Sequence, residues 1–173
     1  PQQFGGHPLD NGQHVLIGAY TDTLALMRTV GLTPEALLHR SPLNLTFPGK
    51  VGLRLPDWPA PWNVLAGIAG ARGWRWQDKA RLLAACWQWQ RQGFACDPGW
   101  TVTQLCARSA LPSTVVQQLI EPLCLSALNT ACHEASASLF LRVLRDAMLG
   151  ERGSADLLMP TTDLSALPPD ACV

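Results

Sequence analysis

Residues 135–150 read ASASLFLRVLRDAMLG, and this stretch does most to decide the fold class. Its apolar residues recur at the spacing of one helix face, at positions 135, 139, 140, 143, 144, 147 and 148. Gly150 follows, and glycine is the residue most typical of a helix end. The stretch predicts an amphipathic helix over 135–149 that packs against the rest of the chain.

Similar end signals predict the other helices. Residues 21–30 begin with residue types that cap helices, and Gly31 closes them. Thr101 and Gln104 have the spacing of a capping box, which predicts that a helix begins there. The chain is therefore expected to be mainly helical, with helices over 21–30, 78–92, 113–128 and 135–149.

Two of these helices have further features in the sequence. The one over 78–92 is expected to be capped by Asp78 and ended by Gly93. The one over 113–128 is expected to be interrupted at Pro122, because proline has no N–H to donate. One apolar face is predicted for the 78–92 helix, made of Leu82, Cys86 and Trp89.

A small β element accompanies the helices. Residues 43–55, LNLTFPGKVGLRL, alternate apolar and polar side chains around Pro48-Gly49, which predicts a β-hairpin. The opening through Gly18 is expected to be strand or loop, and the tail beyond Gly150 irregular. The predicted fold class is therefore α-rich α+β, a helical domain with a small β-sheet or hairpin.

The composition limits the classes of partner. The length of 173 residues favours one domain. Charged residues make up 15% of the chain, against about 25% in ordinary globular proteins. The net charge is zero and there is no run of Lys or Arg, which argues against nucleic acid as a partner. A chain so poor in charge is expected to cover part of its surface with another protein surface or with lipid.

Cysteine and histidine residues predict neither a metal site nor a thiol nucleophile. The six cysteines include no CxxC pair, which indicates free thiols in a cytosolic protein. His133-Glu134 starts like a zinc-protease motif, but Ala137 stands where the second histidine would be. Cys132 and His133 are adjacent, so on a helix they would point in different directions.

Seven tryptophans fall between residues 58 and 100. Two interpretations remain open from the sequence. They pack into the core, or four of them form an interfacial patch at a membrane surface, where tryptophan is enriched. The four are Trp58, Trp62, Trp74 and Trp76.

Residues 9–14, LDNGQH, form a polar cluster directly before the apolar run VLIGAY. Asn11-Gly12 is a hairpin-type turn signal. Taken alone, the cluster predicts a polar turn that leads into a strand.

Three stretches together resemble a known family. They are LDNGQHVLIGAYTDTLALMRTVGL (9–32), LRLPDWPAPWNVLAGIAGARG (53–73) and a third that runs from EPLCLSALNT to SADLLMP (121–160). They resemble the squalene-associated FAD-dependent desaturases, which include the hydroxysqualene dehydroxylases of bacterial hopanoid synthesis. That family belongs to the wider group of flavin amine oxidases and phytoene desaturases.

The resemblance implies a fold and a cofactor. It implies that residues 1–173 are the substrate-binding part of a two-domain, FAD-linked fold. The dinucleotide-binding segments would lie before residue 1 and after residue 173. FAD is then expected in the full-length enzyme and not on this segment alone.

The resemblance also implies roles for the polar cluster. Asp10 and Asn11 would fix the turn, and Gly12 would let the backbone approach the flavin. Gln13 and His14 would face the flavin ring or the substrate. His14 is the candidate proton donor or else a group that orients the flavin, and Asp10 is the alternative acid. The residues implied to line the substrate site are Leu123, Leu128, Asn129 and Thr130.

The function implied is oxidoreduction of a long isoprenoid by a flavoenzyme. The reaction would be dehydroxylation of hydroxysqualene or a phytoene-type desaturation. The alternative is a non-catalytic helical module that binds lipid or protein. The implied partners are a polyprene substrate and the FAD-binding domain of the same chain, with a membrane surface left open. The implied location is the cytoplasm, with peripheral attachment to the inner membrane as the open alternative.

Overall fold

The computed structural model describes residues 2–4, 7–9, 15–48 and 51–161. Its helical elements are α1 (Thr21–Thr29), α2 (Pro34–Leu37), α3 (Trp62–Gly70), α4 (Trp76–Arg91), α5 (Val102–Arg108), α6 (Ser113–Val115), a π-helical turn (Val116–Ile120), α7 (Glu121–Leu128) and α8 (Ala137–Leu149). Its strands are β1 (Gln2–Phe4), β2 (His7–Leu9), β3 (Leu16–Ile17), β4 (Leu38–Ser41), β5 (Asn44–Phe47), β6 (Val51–Arg54) and β7 (Leu157–Pro160). The α-rich α+β class predicted from the sequence agrees with this set of elements.

The glycine after residues 21–30 and the capping box at 101–104 are confirmed as helix-end signals. The predicted cap at the start of α1 is wrong, because Tyr20 precedes the helix and no side chain caps it. Helix α1 ends at Thr29, and Gly31 follows with a φ of +83°. At the start of α5, the N–H of Gln104 donates to the hydroxyl of Thr101, and the N–H of Thr101 donates to the amide oxygen of Gln104. Both signals act within a few residues, so they operate regardless of what the rest of the chain does.

Helix α4 begins earlier than predicted. Asp78 is the third residue of the helix and not its cap, and its carboxylate accepts from the backbone N–H of Arg75 at 3.2 Å. A carboxylate in the first turn favours a helix N-terminus wherever it stands in that turn, so its presence alone did not fix the boundary. The predicted apolar face is confirmed, since Leu82 and Trp89 are buried and Cys86 is half-buried.

The helix over 113–128 is not interrupted at Pro122, contrary to the prediction. Helical structure continues from α6 through the π-helical turn into α7, and Pro122 stands near the start of α7. Proline removes one backbone donor, but its φ is that of a helix. The π-helical turn just before the proline lets the helix continue past the missing hydrogen bond.

The stripe predicted for helix α8 is confirmed for most of its described residues. Phe140 and Leu144 are buried, and Val143 and Ala147 line an interior cavity. Leu139 is the exception, since it is 55% exposed while Leu141 is fully buried. Residues at the edge of a stripe face inward or outward according to what packs against the helix.

The hairpin predicted over 43–55 is confirmed by β5 and β6, which pair antiparallel from Asn44 opposite Arg54 to Phe47 opposite Val51. The predicted irregular tail is wrong for residues 157–160. These residues form β7, the central strand of a three-stranded sheet in which β3 and β4 flank it, both antiparallel. The run Leu-Leu-Met-Pro has no alternating pattern, so only its distant partners identify it as a strand.

Two hydrophobic clusters hold these elements together. The larger one joins the β5–β6 hairpin to helices α3 to α8, with Trp89, Phe140 and Leu141 at most 1% exposed. The smaller one joins α1 to the three-stranded sheet through Leu24, Met27, Leu38 and Leu158.

Candidate functional site

A cavity of about 450 Å³ opens within the larger cluster. The β5–β6 hairpin, α3, α4, the π-helical turn, α7 and α8 form its walls, and the sheet that contains β3 and β7 completes them. Its volume falls within the range of ligand pockets, about 300–1,000 Å³. The inward side chains include Leu45, Leu53, Val64, Ile68, Leu82, Phe140 and Leu144.

Few polar groups reach this cavity. Among the described residues that line it, hydroxyl or thiol groups come from Tyr20, Cys86 and Ser126. The Ser126 hydroxyl donates to the carbonyl of Leu123 at 3.1 Å. Burial raises the pKa of the Cys86 thiol to about 11, so the thiol is neutral at pH 7. The indole N–H of Trp89 is also engaged, since it donates to the Ser109 hydroxyl at 2.9 Å. The cavity is therefore suited to an apolar ligand.

The candidate catalytic and cofactor residues Asp10, Asn11, Gly12, Gln13 and His14 lie outside the described residues. Val15, the residue that follows them in sequence, lines the cavity, as does Ile17 in β3. Their proposed roles remain predictions.

The candidate substrate-lining residues fall in two places. Leu123 in α7 lines the cavity. Leu128 is half-buried against the larger cluster, at the last turn of α7. Asn129 ends that helix in the left-handed conformation with a φ of +48°. The Thr130 hydroxyl donates to the carbonyl of Leu128, and the carbonyl of Thr130 accepts from Cys124 Sγ. The Ala-Leu-Asn-Thr segment thus ends helix α7. Its first residue, Ala127, lines the cavity together with Leu123, and the residues after it form the helix-ending turn.

Most of the cavity wall was not singled out from the sequence. The inward faces of α3 and α8, with Ile68 and Phe140, and the hairpin residues Leu45 and Leu53 contribute much of it. Their apolar spacing was visible in the sequence, but a core face and a ligand-facing wall have the same residue types. Only the arrangement of the elements shows that they leave a space between them.

The cysteines of the described segments are free thiols, as predicted. Cys106, Cys124 and Cys132 lie close together, and Cys124 and Cys132 share a hydrogen bond. Burial raises the pKa of both Cys106 and Cys132 to about 12. Because the thiolate is the nucleophile and metal ligand, these thiols are poorly suited to either role. Within the described part of the chain, no group of three or more histidine, cysteine, aspartate or glutamate residues is placed to hold a metal ion.

The four tryptophans of the predicted interfacial patch differ in how exposed they are. Trp74 is buried, and its N–H donates to the Gln118 side chain at 2.7 Å, so it does not belong to an exposed patch. Trp58, Trp62 and Trp76 are exposed. Trp74 packs in the larger hydrophobic cluster, to which Ala71 also belongs.

A charged cluster lines a second depression. Arg152 donates Nε and Nη2 to the carboxylate of Asp57 at 3.0 and 2.8 Å. Arg40 lies 3.4 Å from Asp156. Hydrogen bonding from Arg152 lowers the pKa of Asp57, whereas burial raises that of Asp156. The two arginines are matched by two carboxylates, so the depression has no surplus charge for an ionic ligand.

Fold and cavity together define a mainly helical α+β chain with an apolar interior cavity. The family model of flavin-containing amine oxidoreductases matches residues 2–168. The chain belongs to this family, whose members are flavin-dependent oxidoreductases that use FAD in their full-length form. No curated protein matches the chain. None of the helices that the structure describes is both long and apolar enough to cross a bilayer.

The described residues do not by themselves form an FAD site. The pyrophosphate of a dinucleotide is usually held by a glycine-rich loop at a helix N-terminus. Across residues 15–48 and 51–161, no helix begins with such a loop. The few polar groups of the cavity likewise do not match the many acceptors of an isoalloxazine ring.

Proposed function

We propose that the full-length protein is an FAD-dependent oxidoreductase that acts on a long isoprenoid. The reaction is dehydroxylation of hydroxysqualene in squalene and hopanoid synthesis, or a phytoene-type desaturation. The observation that carries this proposal is the apolar cavity of about 450 Å³. The family is named for amine substrates. A buried amine would need polar or charged side chains beside it, and the described walls of the cavity offer few.

The cavity walls favour a hydrocarbon for a simple energetic reason. Burying apolar surface is favourable by about 25 cal/mol per Å², and burying a polar group without a hydrogen bond is costly. A polyprene has apolar surface along its whole length. The residues that the structure places along the walls therefore select against a charged ligand and accept an isoprenoid chain.

The reactive end of the substrate is proposed to lie near the Asp-Asn-Gly-Gln-His motif. Support comes from Val15 and Ile17, which follow the motif and line the cavity. When bound, reduced flavin would supply the hydride that replaces the departing hydroxyl, and in a desaturation oxidised flavin would accept the hydride instead. His14 is proposed to donate a proton to the departing hydroxyl oxygen, because an imidazole changes its charge near neutral pH. Asp10, Asn11, Gly12 and Gln13 are proposed to shape the turn and contact the flavin.

The test uses the full-length protein, loaded with FAD. It is incubated with hydroxysqualene after its flavin has been reduced with dithionite, and in parallel with phytoene and with an amine with the flavin oxidised and oxygen present as electron acceptor. The products are identified by mass spectrometry. Squalene from hydroxysqualene, or a desaturated product from phytoene, is the expected result. Turnover of the amine without turnover of either isoprenoid would overturn the proposal.

A second experiment assigns the chemistry to the cavity and the motif. Ala147→Phe fills the cavity from α8 and should abolish isoprenoid turnover, whereas Ala107→Phe on the exposed side of α5 should not. His14→Ala should lower turnover by about 10²–10⁴-fold with flavin retained, the usual contribution of a general acid. If His14→Ala keeps near-normal turnover while Asp10→Ala abolishes it with flavin bound, Asp10 is the better candidate for the acid.

A further inference from the structure

Helix α3 is apolar on two opposite sides. Val64 and Ile68 face inward and line the cavity. Trp62 and Leu65 face outward, 63% and 41% exposed. Trp58 lies just before the helix and is 54% exposed. Residues 58–71 contain no charged side chain.

Such a helix is unusual on a protein surface that contacts only water. A helix that is apolar all round normally lies in a protein core or in a membrane. Helix α3 has nine residues, about 13 Å at a rise of 1.5 Å per residue. It is too short to span a hydrocarbon core of about 30 Å. Its length and outward tryptophans fit the plane of a membrane interface, where tryptophan rings are enriched.

We call this outward side the α3 face (Trp58, Trp62 and Leu65). Three basic residues follow α3 at its C-terminal end. Lys79 Nζ donates to the carbonyl of Ala69 at 2.6 Å, at the end of α3. Arg72 and Arg75 follow the helix and are exposed. In the part of the chain that the structure describes, no carboxylate forms an ion pair with either arginine.

The charge is uneven along the chain as well. Between residues 51 and 92 there are six basic residues and two acidic ones, in a chain whose net charge is zero. The segment that carries the α3 face is thus cationic, and the compensating acidic residues lie elsewhere. An apolar face with tryptophans in a cationic segment matches a surface of anionic phospholipid.

We propose that the α3 face docks onto an anionic phospholipid bilayer. The rings of Trp58 and Trp62 and the Leu65 side chain enter the boundary between headgroups and acyl chains. Arg72 and Arg75 lie against the lipid phosphates. The inner side of α3 is a wall of the cavity, so the docked bilayer is one helix away from the cavity. This proposal rests on the surface alone and holds whatever reaction the protein catalyses.

The test measures binding of the full-length protein to lipid vesicles. Vesicles of phosphatidylcholine alone are compared with vesicles that also contain phosphatidylglycerol, by cosedimentation and by tryptophan emission. We expect binding and a blue shift with the anionic vesicles, both weakened by salt. Equal binding to the two kinds of vesicle, or none, would overturn the proposal.

Variants with matched controls locate the contact. Trp62→Ser with Leu65→Ser should weaken vesicle binding at least about tenfold, because both side chains lose apolar surface that enters the bilayer. Leu26→Ser with Leu139→Ser removes two leucines that are exposed on α1 and α8 and should leave binding unchanged. Circular dichroism of each variant confirms that the fold is kept.

Charge variants test the second half of the proposal. Each basic residue at an anionic surface contributes about fivefold in affinity, so Arg72→Gln with Arg75→Gln should weaken binding about 25-fold. Arg108→Gln with Arg142→Gln, on α5 and α8, is the control and should have little effect. If both pairs act alike, binding is non-specific and the α3 face is not the contact. Concentration-dependent dimerisation that Trp62→Ser abolishes, without vesicle binding, would assign the face to a second copy and refute the proposal.

Discussion

Replacement of Trp89 by phenylalanine tests whether the larger cluster is packed as described. Trp89 is 1% exposed, and its indole N–H donates to the Ser109 hydroxyl at 2.9 Å. Trp87 is two residues away on the same helix but is 60% exposed, with the Arg91 guanidinium 4.8 Å from its ring. The same substitution at Trp87 is therefore a matched control.

The cost at Trp89 has two parts. The smaller ring leaves a void of roughly 40 Å³, which at about 24 cal/mol per Å³ costs about 1 kcal/mol. The lost hydrogen bond costs about 1 kcal/mol more, because the half-buried Ser109 hydroxyl can regain part of it from water. The free energy of unfolding should fall by about 2 kcal/mol. For a chain of this length that lowers Tm by about 4–8 °C. Trp87→Phe keeps an exposed ring and should cost less than about 0.5 kcal/mol.

Urea denaturation followed by circular dichroism measures both values, and Ser109→Ala completes a double-mutant cycle. Ser109→Ala should cost about 1 kcal/mol in the unmodified protein and close to nothing in the Trp89→Phe background, because the bond is already lost. Equal losses for Trp89→Phe and Trp87→Phe would show that Trp89 is not in the core. Additive costs for Trp89→Phe and Ser109→Ala would show that the two side chains do not interact.

Three further outcomes follow from the packing and the pKa values. Gly18→Ala should destabilise the protein strongly, because the added Cβ would overlap a backbone carbonyl oxygen of the loop before β7. Gly70→Ala is the control, since a Cβ at residue 70 meets open space, and it should be neutral or stabilising in the same urea titration. Asp57→Asn should be less stable than the unmodified protein above about pH 4 and should match it at lower pH. The reason is that Arg152 lowers the pKa of Asp57 in the folded state, and the stability gained in this way is lost as the pH falls through that lowered pKa. A stability difference that persists unchanged to pH 2 would contradict the ion pair. Cys86 should react slowly with iodoacetamide in the native protein at pH 8 and quickly in urea, since burial raises the pKa of its thiol to about 11. Rapid alkylation of the native protein, detected by mass spectrometry, would show that Cys86 is not buried.

The sequence predicted those elements whose signals are local. The Thr101–Gln104 capping box, the glycine after α1 and the alternation of the β5–β6 hairpin each act within a few residues, and all were confirmed. The incorrect predictions concern features that depend on distant packing partners. Whether Leu139 or Leu141 faces the core depends on what packs against α8, and no local pattern contains that information.

The candidate site divides in the same way. Residue types that build a core and residue types that line a polyprene site are identical, so the cavity became visible only from the arrangement of its walls. Leu123 was named from resemblance and lines the cavity, whereas Asn129 and Thr130 form the turn beyond it. The polar motif at residues 10–14 was identified by resemblance, and its roles are still predictions.

The position of β7 has a consequence for how the molecule is made. It is the central strand between β3 and β4, so neither outer strand has its sheet partner until β7 arrives. Arg40 and Asp156, which meet beside this sheet, are 116 residues apart. During synthesis on the ribosome, β3, β4 and the apolar side of α1 would emerge long before the strand that covers them. Contacts this distant in sequence form slowly, and unpaired strands invite association with other chains. The nascent chain should therefore depend on chaperones until residue 160 has left the ribosome, and its yield should be sensitive to the rate of translation in the last third of the sequence.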